Sequence, residues 1–133
     1  MKIIKGENTW VWMEVKGYYF YTQFKPNTVL DLEAAKKIIH DAVTLAGDHT
    51  YPVLTDIREM PPHNKEVRNY FANEGSESAC ANAILVSNSI SRILANFFLN
   101  INKPSIPTRI FTDSAKAVKW LEMFPIKHRQ VLV

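Results

Sequence analysis

The sequence predicts an α/β domain: an N-terminal β-hairpin, then alternating strands and helices forming a mostly parallel five-stranded sheet with about four helices. Three observations lead there. Two aromatic-rich runs, residues 8–15 and 18–24, stand on either side of Lys16-Gly17, the kind of link that closes a hairpin. Beyond them, short apolar runs at 52–57, 83–86 and 108–112 alternate with stretches of helical periodicity. Each periodic stretch also opens on a capping residue and closes on a glycine or proline.

In chain order, the hairpin places Trp10 and Trp12 on one side of its first strand, while Tyr18, Phe20 and Phe24 alternate with Tyr19 and Tyr21 on the second. Both faces are thus aromatic: one covers the core, and the other exposes bulky apolar surface unless helices or a second subunit cover it. Asp31 caps a helix running to about Ala46, with Gly47 as its stop and Leu32, Ala35, Ile38, Ile39, Ala42 and Val43 as its apolar stripe. Lys36, Lys37, His40 and Asp41 fall away from that stripe, towards solvent. PVLTDI at 52–57 reads as a buried central strand. Asn64 caps the next helix, through Val67, Tyr70 and Phe71 to about Glu74, and 75–82 reads as turn or short helix before the strand AILV at 83–86. Ser87 or Asn88 caps a third helix whose apolar positions Ile90, Ile93, Leu94, Phe97, Phe98 and Ile101 keep helical spacing. Pro104 and Pro107 flank a loop into the strand 108–112, and Asp113 caps the last helix, docked by Ala117, Trp120, Leu121 and Phe124. Residues 126–133 form a tail with no local signal.

The whole chain, 133 residues and 15.3 kDa, suits a single domain able to bury a core without disulfide or metal staples. Its net charge of +3 and pI near 9.0 are mildly basic, and the basic residues are dispersed, which argues against a nucleic-acid partner. The lone Cys80, set between alanines, reads as a packing residue. No apolar run reaches membrane-spanning length and the N-terminus lacks a signal-type core, so a cytoplasmic protein without an integral membrane segment is expected.

YPVLTDIREM at 51–60 with its capped helix, and NFFLNINKPSIPTRIFTD at 96–113 with AVKWLEMF after it, resemble the STAS or SpoIIAA-like domains. The resemblance is narrower still to a small bacterial STAS-like group, related to CRAL-TRIO domains, of unknown function. It implies a fold, and it implies a binding or regulatory module acting through protein contacts. Anti-sigma-factor antagonists of the broad family carry a phosphorylatable Ser at the start of the helix after the third strand. Here that region reads Met60-Pro61-Pro62-His63-Asn64 and offers no hydroxyl.

Three candidate sites follow. The carboxyl edge of a parallel sheet would gather Asp56, Arg58, His63, Asn64, Ser87, Asn88, Thr112 and Asp113, where helix N-termini and Arg58 suit an anion or nucleotide. The competing reading makes Asn64, Asn88 and Asp113 caps and nothing more. Asp56 and His63 have the types of a base and its orienting partner, but Ser87 and Thr112 sit at capping positions without a strained elbow. No enzyme, cofactor or metal is therefore expected. The CRAL-TRIO relationship suggests the alternative of an apolar-ligand or lipid pocket, lined by residues such as Phe20, Phe97, Phe98 and Trp120. Third, Trp10, Trp12, Tyr19 and Tyr21 would form a homodimer surface.

Overall fold

The computed structural model describes residues 3–87 and 105–128. The third helix expected from the sequence lies outside the described residues, and with it Asn88, Phe97 and Phe98.

Among the described residues the sheet has seven strands: β1 Ile3–Gly6, β2 Val11–Lys16, β3 Tyr19–Phe24, β4 His49–Asp56, β5 Ala79–Leu85, β6 Thr108–Phe111 and β7 Lys127–His128. β1 to β6 lie side by side in chain order, antiparallel from β1 to β3 and parallel from β3 to β6. β7 pairs antiparallel with the first residues of β4, His49 against His128. Five strands were expected. The two additions, β1 and β7, are short segments at the ends of the chain that take their order from a neighbour, β2 and β4 respectively, and not from a pattern of their own.

The hairpin closes one residue later than its sequence suggests. Lys16 faces Tyr19, so the two-residue link is Gly17-Tyr18, and Gly17 takes a φ of 71°, as the first position of a type II′ turn requires. Tyr18 leaves the strand, and its hydroxyl donates to the Val118 carbonyl at 3.3 Å. The first hairpin strand also begins later than expected. Asn8 ends the preceding turn, its Oδ1 accepting from the amides of Trp10 and Val11, and its Nδ2 donating to Asp41 at 2.8 Å.

The helices α1 Leu32–Ala46, α2 Lys65–Asn73 and α3 Ser114–Leu121 start where their caps predict. The side chains of Asp31, Asn64 and Asp113 accept from the backbone amides of Ala34, Val67 and Ala115, answering donors that the first turn cannot satisfy. Gly47 closes α1 at a φ of 64°, its amide donating to the Val43 carbonyl at 3.1 Å. A 3-10 turn, Glu74–Ser76, continues α2.

The sheet separates two cores. α1 and α2 cover the face presented by Val11, Met13, Val15, Phe20 and Phe24. α3 covers the opposite face, where Ala81, Ala83, Leu54 and Leu85 meet Ala117 and Leu121. Burial alternates along β2 and β3, as a sheet with two different faces dictates. Between Tyr51 and Pro52 the pairing with β5 slips by one residue. This bulge lets Ala79 and Asn82 share the α1/α2 face and leaves Cys80 out of it. The Cys80 Sγ reaches the Pro125 carbonyl at 3.7 Å, so the residue is half-buried beside the last turn of chain and not enclosed in the core as expected.

Candidate functional site

Between the sheet and α1/α2 lies a cavity of about 500 Å³. Its floor is two rows of side chains fixed by strand register. Phe20 stands beside Val53 and Val53 beside Asn82; Thr22 stands beside Thr55 and Thr55 beside Ile84. Ile38 and Ala42 of α1 form one wall. Phe71 and Ala72 of α2, with Gly75 beyond it, form another. Phe24 and Phe71 meet edge to face, their centroids 5.9 Å apart, and close the floor against α2.

Uncharged polar side chains also line it, Thr22, Thr55, Ser78, Asn82 and Thr108 among them. The Thr55 hydroxyl donates to Asn82 Oδ1 at 2.7 Å, which leaves the Asn82 amide nitrogen to the cavity. Thr22 is only 9% exposed, and its hydroxyl makes no hydrogen bond with any described residue. No fully enclosed side-chain polar atom among the described residues lacks a partner, so the Thr22 oxygen is open to the cavity itself.

At the carboxyl end of β4 the lining turns basic. Arg58, His63 and Arg68 face the cavity, and no Asp or Glu is among its described lining residues. Arg58 is already engaged. Its Nε and Nη2 donate to the two oxygens of Asp56 at 3.0 and 2.7 Å, and its backbone amide adds a third bond. Asp56 is 1% exposed and belongs to the α3 side of the sheet, where the Tyr21 hydroxyl also reaches it at 3.5 Å. Bonding to Asp56 holds the Arg58 guanidinium protonated above its ordinary value, against the opposing effect of burial. Burial pushes the Tyr21 phenol up, with the nearby Asp56 charge adding to it.

His63 lies on the turn into α2, with Nδ1 2.9 Å from the Pro61 carbonyl. A carbonyl can only accept, so Nδ1 carries the hydrogen and the neutral ring presents a bare Nε2. Burial lowers the His63 pKa below 6.5, and the neighbouring Arg68 charge adds to that, against the Pro61 bond. Arg68 is the contrast to Arg58. Its Nη1 makes one long bond, 3.5 Å, to the His63 carbonyl, and no described carboxylate lies within ion-pairing distance of it.

Of the eight edge residues singled out in the sequence, Arg58 and His63 line the cavity. Asn64 and Asp113 are caps. Asp56 locks Arg58 from the other face, and Ser87 and Thr112 are exposed outside the lining. Of the apolar set, Phe20 is in the floor. Trp120 is not, because α3 packs on the opposite face, where it stacks with Phe111 and Phe124. The hairpin aromatics are also mostly covered. Trp10 packs against the α1/α2 core and Tyr19 and Tyr21 against the α3 core, whereas Trp12 remains 50% exposed with the Lys25 ammonium 5.4 Å above its ring.

Residues 11–125 match a family model described as "Domain of unknown function (DUF7793)". The chain belongs to the DUF7793 family. No curated protein matches this DUF7793 chain. Among solved structures it is similar to an uncharacterized DUF3478-family protein with a SpoIIAA-like fold from Shewanella loihica PV-4. The TM-score is 0.54 at 16% identity, covering 90% of this chain and 93% of that one. The DUF7793 domain accordingly has a SpoIIAA-like α/β fold. A protein with unknown function from Arthrobacter sp. FB24 is 24% identical over 84% of this chain and 98% of its own, with a TM-score of 0.32.

Two site residues of the DUF7793 domain escaped the sequence reading. Arg68 begins the row Arg68, Phe71, Ala72, Gly75, spaced i, i+3, i+4, i+7, which all lines the cavity. That spacing is present in the sequence, but the helix is read there only from its apolar positions Val67, Tyr70 and Phe71, and a charged residue does not register in such a stripe. Thr22 was masked by the aromatics on either side of it.

Proposed function

We propose that the DUF7793 domain is a non-catalytic binding module whose cavity takes a small, mostly apolar molecule. The observation that carries this reading is the cavity itself, with its mostly apolar walls and a buried Thr22 hydroxyl that bonds to no described residue. Its volume of about 500 Å³ falls within the ~300–1,000 Å³ typical of small-molecule sites. A filled core would instead have favoured function on the outer surface. Binding is preferred to catalysis because the hydrogen-bearing nitrogen of His63 is committed to a backbone carbonyl and Asp56 is turned to the other side of the sheet, so the two are not a base and its orienting partner.

Native mass spectrometry of freshly purified protein, compared with the same sample denatured, tests the reading. A bound mass released on denaturation, or saturable uptake of the neutral dye Nile red that bulky substitutions in the cavity abolish, is the expected result. Bare protein that takes up no apolar probe would overturn it.

The contact-module reading retains one specific support, the half-exposed Trp12 beside Lys25. A dimer at the sequence mass that Trp12→Lys converts to a monomer would favour it.

A further inference from the structure

From the basic rim of the cavity we infer that its ligand is an amphiphile with an anionic head: the head pairs with Arg68 at the mouth and the apolar part lies over Phe20, Thr22 and Phe71. The inference rests on the cavity being a ligand site, and goes beyond it in naming the chemical class. Three observations support it. The described lining carries Arg58, His63 and Arg68 and no acidic side chain, so the site is electrostatically one-sided. Of the two guanidinium groups, Arg58 is spent on the buried Asp56, whereas Arg68 pairs with no carboxylate among the described residues. The basic groups also follow the carboxyl end of β4, on the turn into α2 and its first turn. The rest of the described lining is uncharged, mostly apolar with Thr22, Thr55, Ser78, Asn82 and Thr108 among it, so charge is confined to one part of the wall as an amphiphile requires.

An arginine held near a low-dielectric cavity by one long bond is poised to exchange that bond and its water for a charge-assisted pair. A cationic head would meet the Arg68 charge directly, and an uncharged head would forgo the pairing. Carboxylate and phosphate monoester heads share the required chemistry. The bare Nε2 of neutral His63 accepts a hydrogen bond and so favours a head that also carries a proton, or one that draws a proton onto the ring.

The test measures binding of dodecanoate, dodecyl phosphate, dodecanol and dodecylammonium below their micellar concentrations, by displacement of Nile red, in wild type, Arg68→Gln and Arg68→Lys. The expected result is that an anionic probe binds wild type roughly tenfold or more tightly than dodecanol, the scale of one charge-assisted pair. Arg68→Gln removes that advantage and leaves dodecanol unchanged, and Arg68→Lys restores part of it. Whichever anion binds better identifies the head group. Dodecanol binding as tightly as both anions, or an anionic advantage that survives Arg68→Gln, overturns the inference while leaving the cavity reading intact. Failure of all four probes and of Nile red overturns both.

Discussion

Replacing Thr22 by valine separates a ligand cavity from an ordinary core. Thr22 lies mid-strand in β3, 9% exposed, between Phe20 and Phe24 on the α1/α2 face, with its hydroxyl turned to the cavity. Valine has nearly the same shape and at least the same preference for a strand, so the change exchanges a hydroxyl for a methyl group. A buried hydroxyl with no partner costs about 1–3 kcal/mol, and one that still touches the cavity incurs only part of that. Thr22→Val is therefore expected to stabilise the unliganded protein by about 1 kcal/mol, which raises Tm by roughly 3 °C for a domain of this size. Urea titration and differential scanning calorimetry on ligand-free protein would measure it. The same variant should weaken a ligand that reaches the hydroxyl, so stability and binding move in opposite directions. Destabilisation by more than about 1 kcal/mol would mean that the hydroxyl has a structural partner, and would refute the argument.

Two further outcomes follow from the lock and the turn at the mouth. Asp56→Ala removes the acceptor for three Arg58 bonds and one from Tyr21; because Arg58 is partly exposed and can turn to water, the expected loss is about 2–3 kcal/mol, read from the urea midpoint. His63 has a folded pKa depressed by burial, so its contribution to stability is complete above the ordinary value of 6.5 and is lost as pH falls through the folded pKa. Stability should therefore decline below about pH 6.5, and His63→Gln should flatten that part of the profile; an unchanged profile would assign the decline to other groups.

The parts of the fold legible in the sequence are those written locally. Asp31, Asn64 and Asp113 named the three helix starts, Gly47 a stop, and the alternation of aromatics from Tyr18 to Phe24 a strand with a core face and a second, partly covered face. β5 begins at Ala79, four residues before the expected 83, because Ala79-Cys80-Ala81-Asn82 has none of the β-branched residues that announce a strand. Those small residues reflect a neighbour: Ala81 and Ala83 are fully buried against Ala117, so the demand comes from α3, more than thirty positions away in sequence. The site divides in the same way. Arg58 and His63 were readable as residues following a strand, but the pairing that leaves Arg68 free depends on Asp56 reaching round from the other face, which no spacing rule contains.

The two sides of the sheet also pack differently, and that difference supplies a last test. On the α3 side small residues of β5 meet Ala117 and let the helix come close. On the other side bulky Phe20, Phe24, Ile38 and Phe71 stand around the cavity while Ala42, Ala72 and Gly75 line it with little or no side chain, so among the described residues a space remains between sheet and helices. In a core, alanine at such positions answers to close packing, and enlarging it costs about 1–3 kcal/mol of strain. In a cavity, the same enlargement buries new apolar groups at about 0.8 kcal/mol per methylene with little strain. Ala42→Leu adds three carbons on the α1 wall, in a helix where leucine ranks just below alanine in propensity. The expected result is a stability gain of about 1–2 kcal/mol together with loss of Nile red uptake. A loss of stability on that scale would show the volume at Ala42 to be occupied and the alanine to be a packing residue, and the ligand would then have to be sought away from the α1 wall.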